Sequence, residues 1–337
     1  IVTGKDCLRP GDRDGVDLGP TSGPSAIGRR DIMGVEAIPV IIDVDTGIDD
    51  AVALVLASRL SQLDVLGVTT VSGNVDVEQA TDNSLRVLAQ IGQGAVPVYR
   101  GMSASLARGA RHAPHVHGEN GLGGVELLPS LPATAAVTAP ELIVRTARSR
   151  PGEVTLICLA PLTNLAVALS LEPKLPRLLK RVVVMCGAFL VPGNITPHAE
   201  FNVWVDPEAA ATVTRSTLNL LYIGLDVTHQ AELTREMWRQ LASSGTPEGE
   251  LVAALGRSTF EERGRSVLYL HDPLAVAVAA MPDLVSHDAS VVAIDTGVGE
   301  TAGQTRLVRG SGVAHDVALG LDRERFSALF RSALGMT

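Results

Sequence analysis

Along the chain, short apolar runs alternate with segments whose apolar residues recur every three or four positions. From Pro39 the run PVIIDVD predicts a buried strand, and DDAVALVLASRL after it predicts a helix. LDVLGVTTVS predicts a second strand and VEQATDNSLRVLAQIG an amphipathic helix. The alternation resumes with VTLICLA, RVVVMCG and LNLLYIGLD as strands, and with PLTNLAVALSLEP and DPEAAATVTRST as the helices between them. HDPLAVAVAAMP is apolar almost all round and predicts a buried helix, and DRERFSALFRSALG predicts a closing one. Strands alternating with helices predict an α/β fold, a single large domain with a mostly parallel, Rossmann-like central sheet flanked by helices. Ligands in such sheets bind beyond the carboxyl ends of the strands, so chemistry is sought in the residues that follow each strand.

Residues 1–37 break this pattern. They are rich in Gly, Pro, Asp and Arg, as in RPGDRDG and GPTSGPS, and show no apolar period. That composition predicts a disordered tail, or an extension upstream of a later start at Met33, with the folded domain at 38–337. With 46% hydrophobic residues the remainder suffices for one large core. A net charge of -9 with three lysines argues against a nucleic-acid partner, which needs clustered cations to neutralise phosphates. No apolar run reaches the roughly 18 residues of a membrane span, and no apolar signal segment opens the chain. Cys7, Cys158 and Cys186 are an odd set without CxxC spacing; the last two sit in apolar runs and read as buried free thiols. These features together predict a cytoplasmic protein.

The first strand ends in DVDTGIDD, which places Asp43, Asp45, Asp49 and Asp50 within eight residues. Burying so many like charges is costly unless a cation compensates them, and hard carboxylate oxygens suit Ca²⁺ or Mg²⁺. The plain alternative is a helix N-cap, with Asp49 capping and Asp50 in the first turn. That accounts for two of the acids and leaves the two on the strand side unexplained.

PVIIDVDTGIDDAVALVLA resembles the N-terminal signature of the inosine-uridine nucleoside hydrolase family. The resemblance continues, in order, through VSGN, HGENGLGG, PLTNLA, GNITPHAEFNVWVDPEAA, LHDPLAVA and GQTRLV, spanning roughly residues 38–335. It implies the nucleoside hydrolase fold, hydrolysis of ribonucleosides to ribose and free base, a role in nucleoside salvage, and a homodimer or homotetramer. It also implies a Ca²⁺ held by Asp45, Asp50, Asp272 and the backbone carbonyl of Leu159. By the same match Asp49 and Asn202 face the 2′- and 3′-hydroxyls with Asn74 nearby, and Asn194 and Glu200 hold the 5′-hydroxyl. His117 and Phe201 fall at base-pocket positions. The segment Cys158-Leu159-Ala160 departs from the family's usual Pro-Thr-Gly-like stretch, a change that a carbonyl ligand tolerates. His-Asp-Pro at 271–273 resembles the broad-specificity branch.

Glycoside chemistry then assigns the roles. An oxocarbenium-like transition state needs an attacking water and a protonated leaving group. Asp45 is the expected general base toward a Ca²⁺-bound water, and His271, beside Asp272, the expected general acid toward the base. Aromatic residues are only 3% of the chain, so stacking partners are few; Tyr269, Phe260 and Phe189 are the remaining candidates. His112, His115 and His117 have a zinc-like clustering, but their Gly- and Pro-rich loop offers no good fourth ligand. Two other readings compete. DxDxT at a strand end also suits a haloacid-dehalogenase-type phosphatase with Asp43 as nucleophile, yet the downstream lysines, Lys174 and Lys180, lie in EPKLPRLLKR. A calcium-dependent nucleoside-binding protein without turnover would not need both Asp45 and His271.

Overall fold

A computed structural model describes residues 36–129 and 137–336. The expected N-terminal tail and Cys7 therefore lie outside the described residues, apart from Glu36 and Ala37 at the tail's end. Nine strands form the main sheet: β1 (Ile38–Val44), β2 (Leu63–Thr70), β3 (Val98–Arg100), β4 (Thr155–Cys158), β5 (Arg181–Val184), β6 (Leu220–Tyr222), β9 (Val285–Ile294), β10 (Thr305–Val308) and β11 (Ala314–Leu321). Their order is β10-β9-β11-β6-β5-β4-β1-β2-β3, and β7 (Glu232–Thr234) pairs with β8 (Val267–Tyr269) in a separate ribbon. From β3 through β6 to β11 every pairing is parallel, while β9 runs antiparallel to both β11 and β10. The molecule is thus a single α/β domain with a mostly parallel sheet, as the alternation predicts.

β1 shows why its residues make a buried strand. Val40, Ile42 and Val44 enter one hydrophobic layer, whereas Ile41 enters the layer on the opposite face. A strand covered on both sides must be apolar on both sides. The helix Ile48–Arg59 is buried from Ile48 to Ala57, and it packs against the equally apolar helix His271–Ala280. Small alanines on both allow close approach, and this packing brings Asp272 toward the end of β1. The predicted strand LNLLYIGLD is shorter than its apolar run: β6 stops at Tyr222, and Leu225–Thr228 turns into a short helix. Cys158 and Cys186 are buried free thiols, as expected.

Candidate active site

β1 lies between β2 and β4, so the strand order reverses there, and polar residues converge beyond the carboxyl ends of β1, β2, β4, β5 and β6. Asp45 follows β1. Asp50 closes the first turn of the next helix: its Oδ2 accepts the Gly47 N–H at 2.9 Å and its Oδ1 the Asp45 N–H at 3.2 Å. The end of the helix is therefore tied by Asp50 and not by Asp49. Asp49 reaches instead to the neighbouring helix, where its Oδ2 accepts the Asp272 N–H at 3.0 Å. Asn74, after β2, binds two of the acids together. Its backbone N–H donates to Asp45 Oδ2 at 2.7 Å, and its Nδ2 donates to Asp45 Oδ1 and Asp50 Oδ2, each at 3.0 Å. The preceding Gly73 permits this approach, because a Cβ there would overlap the Asp45 carboxylate.

The other wall of the floor comes from β4 and β5. Asn202 Nδ2 donates to the carbonyls of Leu159 and Met185, both at 2.9 Å. Glu200 is buried and caps the helix Phe201–Val205, accepting the N–H groups of Gly187, Asn202 and Val203. Asn194 is exposed, and its Oδ1 accepts the Phe201 N–H at 2.9 Å, which folds the loop back onto the helix start. The Phe201 ring is partly buried, 6.3 Å from Trp204. Below these groups Asp43 Oδ1 accepts from Thr69 Oγ1 at 2.6 Å and Asn164 Nδ2 at 2.7 Å.

Burial shifts each of these carboxyls upward. Burial, with Asp50 as the nearest like charge, holds Asp45 well above the usual carboxylate range. Burial does the same to Asp49, and to Asp272 with Asp49, Asp50 and Asp45 adding to it. Asp50 is raised by burial as well, against the pull of its backbone hydrogen bonds. Burial pushes Asp43 and Glu200 each to about 7. Such groups ionise together only beside a compensating positive charge. Asp49 Oδ1 and Asp43 Oδ2 are buried without a hydrogen-bond partner. The donors are all hard oxygens, so the chemistry fits a Ca²⁺- or Mg²⁺-like cation. Among the described residues no three His, Cys, Asp or Glu side chains stand as a ready-made metal cage; Asn74 occupies the bridging position between Asp45 and Asp50.

Beside the acids stands a wall of histidines, His117 against Gly47 and Ile48 of the acidic turn and His271 next to Asp272 in the chain. His117 Nδ1 accepts the Ile48 N–H at 3.1 Å, so that ring nitrogen carries no proton. His271 Nδ1 lies 2.7 Å from Thr228 Oγ1. Burial pushes both rings down to about 3, with Arg263 and His115 adding to it at His117, and His229 and His117 at His271. Both are neutral imidazoles near pH 7. Tyr269, which is 37% exposed, packs on His229 at 4.9 Å and on His271 at 5.8 Å between ring centroids. His112 turns away, its Nδ1 3.0 Å from the Gly73 carbonyl, so the three loop histidines do not form a zinc site.

Of the aromatic candidates, only Tyr269 reaches this wall. Phe260 is a core residue stacked on Trp238 at 5.0 Å, and Phe189 packs edge-on against buried Tyr222 at 5.6 Å. His229 and Thr228 belong to the wall without having been singled out by the sequence. The rule that ligands gather beyond strand ends reaches them, since they sit just past β6. Asp226, two residues earlier, anchors the loop after β5 by accepting the N–H groups of Phe189 and Leu190. Two surface grooves of about 510 Å³ and 460 Å³ lie apart from this cluster and contain none of its carboxylates.

The family model for inosine-uridine preferring nucleoside hydrolase matches residues 40–328. A curated relative, the pyrimidine-specific ribonucleoside hydrolase RihA of Citrobacter koseri, is 36% identical over 88% of this chain and 98% of its own length. Among solved structures, a plant nucleoside hydrolase, PpNRh1, aligns with a TM-score of 0.84 at 32% identity, covering 88% of this chain and 98% of its own. The purine-preferring ribonucleoside hydrolase of Gardnerella vaginalis aligns at 0.82 and 31%, with the same coverage. The chain belongs to the inosine-uridine preferring nucleoside hydrolase family. Its activity class is accordingly that of the ribonucleoside hydrolases, which cleave an N-glycosyl bond with water.

Proposed function

We propose that the protein hydrolyses ribonucleosides to ribose and free base at the acid floor, with Ca²⁺ as the resident cation, in nucleoside salvage. The observation that supports this most is the set of raised, buried carboxyls beside a wall of neutral imidazoles. Asp45, Asp50, Asp272 and the Leu159 carbonyl would hold the cation. When bound, it supplies the positive charge that orients the diol and the attacking water and lowers the pKa of that water. Asp45 takes the proton from the water. Asp49, with an unpartnered buried oxygen, and Asn202, with its amide oxygen, receive the 2′- and 3′-hydroxyls, and Asn74 holds Asp45 in place. Asn194 and Glu200 lie toward the 5′-hydroxyl.

His271 offers an N–H to the departing base, with His117 on the same wall and Phe201 as a further base-pocket residue. Because His271 sits at about 3, its neutral form does this near pH 7, stabilising the leaving anion through a hydrogen bond as the C–N bond breaks. The base named for relatives differs, pyrimidine for one and purine for another, and His-Asp-Pro at 271–273 supports a broad range here. A homodimer or homotetramer acting in the cytoplasm completes the reading. No described helix is long and apolar enough to cross a membrane. The test is a panel of inosine, uridine, cytidine and adenosine with reducing-sugar detection, run as purified, after chelation, and after Ca²⁺ is restored. Ribose release that stops with the chelator and returns with Ca²⁺ is expected. No release from any of the four, or full rates in excess chelator, overturns the proposal.

A further inference from the structure

We propose that Thr228 is a positioning residue that holds His271 in the tautomer with its proton on Nε2. This rests on the reading of His271 as the donor to the leaving base. Thr228 ends the four-residue helix Leu225–Thr228 that follows β6, and it is fully buried. Its hydroxyl lies 2.7 Å from His271 Nδ1, and among the described residues the hydroxyl has no other hydrogen-bond partner. A hydroxyl has one proton to give. If Nδ1 carried the ring proton and donated to Oγ1, the hydroxyl proton would be buried with no acceptor, an arrangement that folded proteins avoid. The bond therefore runs from Thr228 Oγ1–H to Nδ1. A neutral imidazole that accepts at Nδ1 must carry its proton on Nε2. Among the described residues no protein atom hydrogen-bonds to Nε2, which leaves that N–H for the substrate.

His117 reaches the same state by another route. There a main-chain donor, the Ile48 N–H, occupies Nδ1 at 3.1 Å, and Gly47 leaves room for the ring, since a Cβ there would overlap Nδ1. Two imidazoles on one wall thus present Nε2–H, one fixed by backbone and one by a side chain. Only the second can be released by substitution without touching the backbone, which makes Thr228 the informative position.

Thr228→Val keeps the shape and removes the hydroxyl, and Thr228→Ser keeps the hydroxyl. With ¹⁵N-labelled histidine in the intact protein, the His271 ring nitrogens are assigned by their loss in His271→Gln. Wild type and Thr228→Ser are expected to show a pyridine-like Nδ1 and a protonated Nε2. Thr228→Val is expected to average the two nitrogens or reverse them. With inosine, kcat should fall at least about tenfold in Thr228→Val with KM nearly unchanged, and Thr228→Ser should restore it. An unchanged tautomer in Thr228→Val overturns the proposal. A shifted tautomer with undiminished inosine turnover keeps the tautomer assignment and overturns instead the donor role of His271. Equal losses in the Val and Ser variants, with the tautomer intact in both, would leave Thr228 as packing alone and refute positioning.

Discussion

The acid floor and the histidine wall adjoin each other but are built in opposite ways. The floor is local: Asp45, Asp49 and Asp50 come from one turn at the end of β1, joined by Asn74 and by Asp272 from the adjacent helix. Each of its carboxyls is driven toward the protonated form by burial, Asp45, Asp49 and Asp272 well above the usual carboxylate range and Asp43 and Glu200 to about 7. The wall is assembled from distant pieces, with His117 at the end of the short helix Pro114–His117 after β3, Thr228 and His229 after β6, Tyr269 at the end of β8 and His271 at a helix start. The partly buried His117 and His271 rings are driven toward the neutral form, to about 3. One burial effect thus moves acid and base in opposite directions. The floor is left needing positive charge, and the wall is left as neutral donors. A sugar with a departing base has matching demands, a diol and water at one end and a leaving group at the other.

The largest expected effect breaks the floor. Asp272→Asn keeps the shape and removes one charge from the group formed with Asp45, Asp49 and Asp50, which dominate its environment after burial. Turnover should drop by roughly 10⁴-fold, the scale on which a single catalytic-site carboxylate is lost elsewhere. The loss should be similar for inosine and for nitrophenyl riboside, since water activation and cation binding serve both. Chelated Asp272→Asn should melt no lower than chelated wild type, because a buried carboxyl that is costly to ionise among like charges has been replaced by a neutral amide. A lower Tm in that comparison would mean that Asp272 stabilises the fold and that the floor is not strained by its own charge.

A smaller and selective loss is expected at the wall. His271→Ala should slow inosine hydrolysis by about 10²–10⁴-fold, the usual worth of a positioned proton donor. On nitrophenyl riboside, whose leaving group departs without help, the same variant should be nearly unimpaired. Steady-state kinetics on both substrates tests the contrast. Equal losses would show that His271 supports the floor structurally and that wall and floor do not divide the chemistry.

The two regions also differed in how far the sequence revealed them. Contiguity exposed the floor, since four acids in eight residues stand out against any helix cap, and the order of the motifs carried Asn74, Leu159 and Asp272 to it. β1, β2, β4, β5 and β6 were equally legible, because strands buried on both faces read as unbroken apolar runs, whereas β3 and β11, also in the parallel part, were not read as strands. Nor was β9. Its residues are mostly half-exposed or exposed, so neither an apolar run nor a clean two-residue period marks it. β7 and β8, three residues each, are too short to show a period at all. In the wall, His271 was readable from its neighbour Asp272. His229 and Tyr269 meet only because the β7–β8 ribbon returns the chain to the end of β6, a contact that spans 40 residues of sequence. The hydrogen bond of Thr228 was hidden for the same reason.

The last and smallest effect asks which region governs the response of cation binding to pH. In the cation-free protein the floor carboxyls hold protons at a pH where free carboxylates do not, up to about 7 for Asp43 and Glu200. A group whose pKa is raised on folding contributes stability that is full below its unfolded value and is lost as pH rises through the folded one. The cation-free floor is therefore least favourable at high pH, where its acids must ionise against one another, and a cation should raise Tm most there. As pH falls the cation must displace protons from these carboxyls, so its affinity should fall, by more than about tenfold per unit if more than one proton is released. The wall has the opposite sign. His117 and His271 are depressed, so their contribution is full above the unfolded value of 6.5 and is lost as pH falls toward about 3. Folded, they bind almost no protons between pH 5 and 7 and add nothing to the cation's slope. Calorimetric titration of Ca²⁺ into chelated protein from pH 5 to 7.5 should give the steep slope in wild type and the same slope in His271→Ala. A pH-independent affinity would show that the floor is already ionised without the cation. A slope that flattens in His271→Ala would place a titrating histidine in the cation's charge balance and merge the two regions into one.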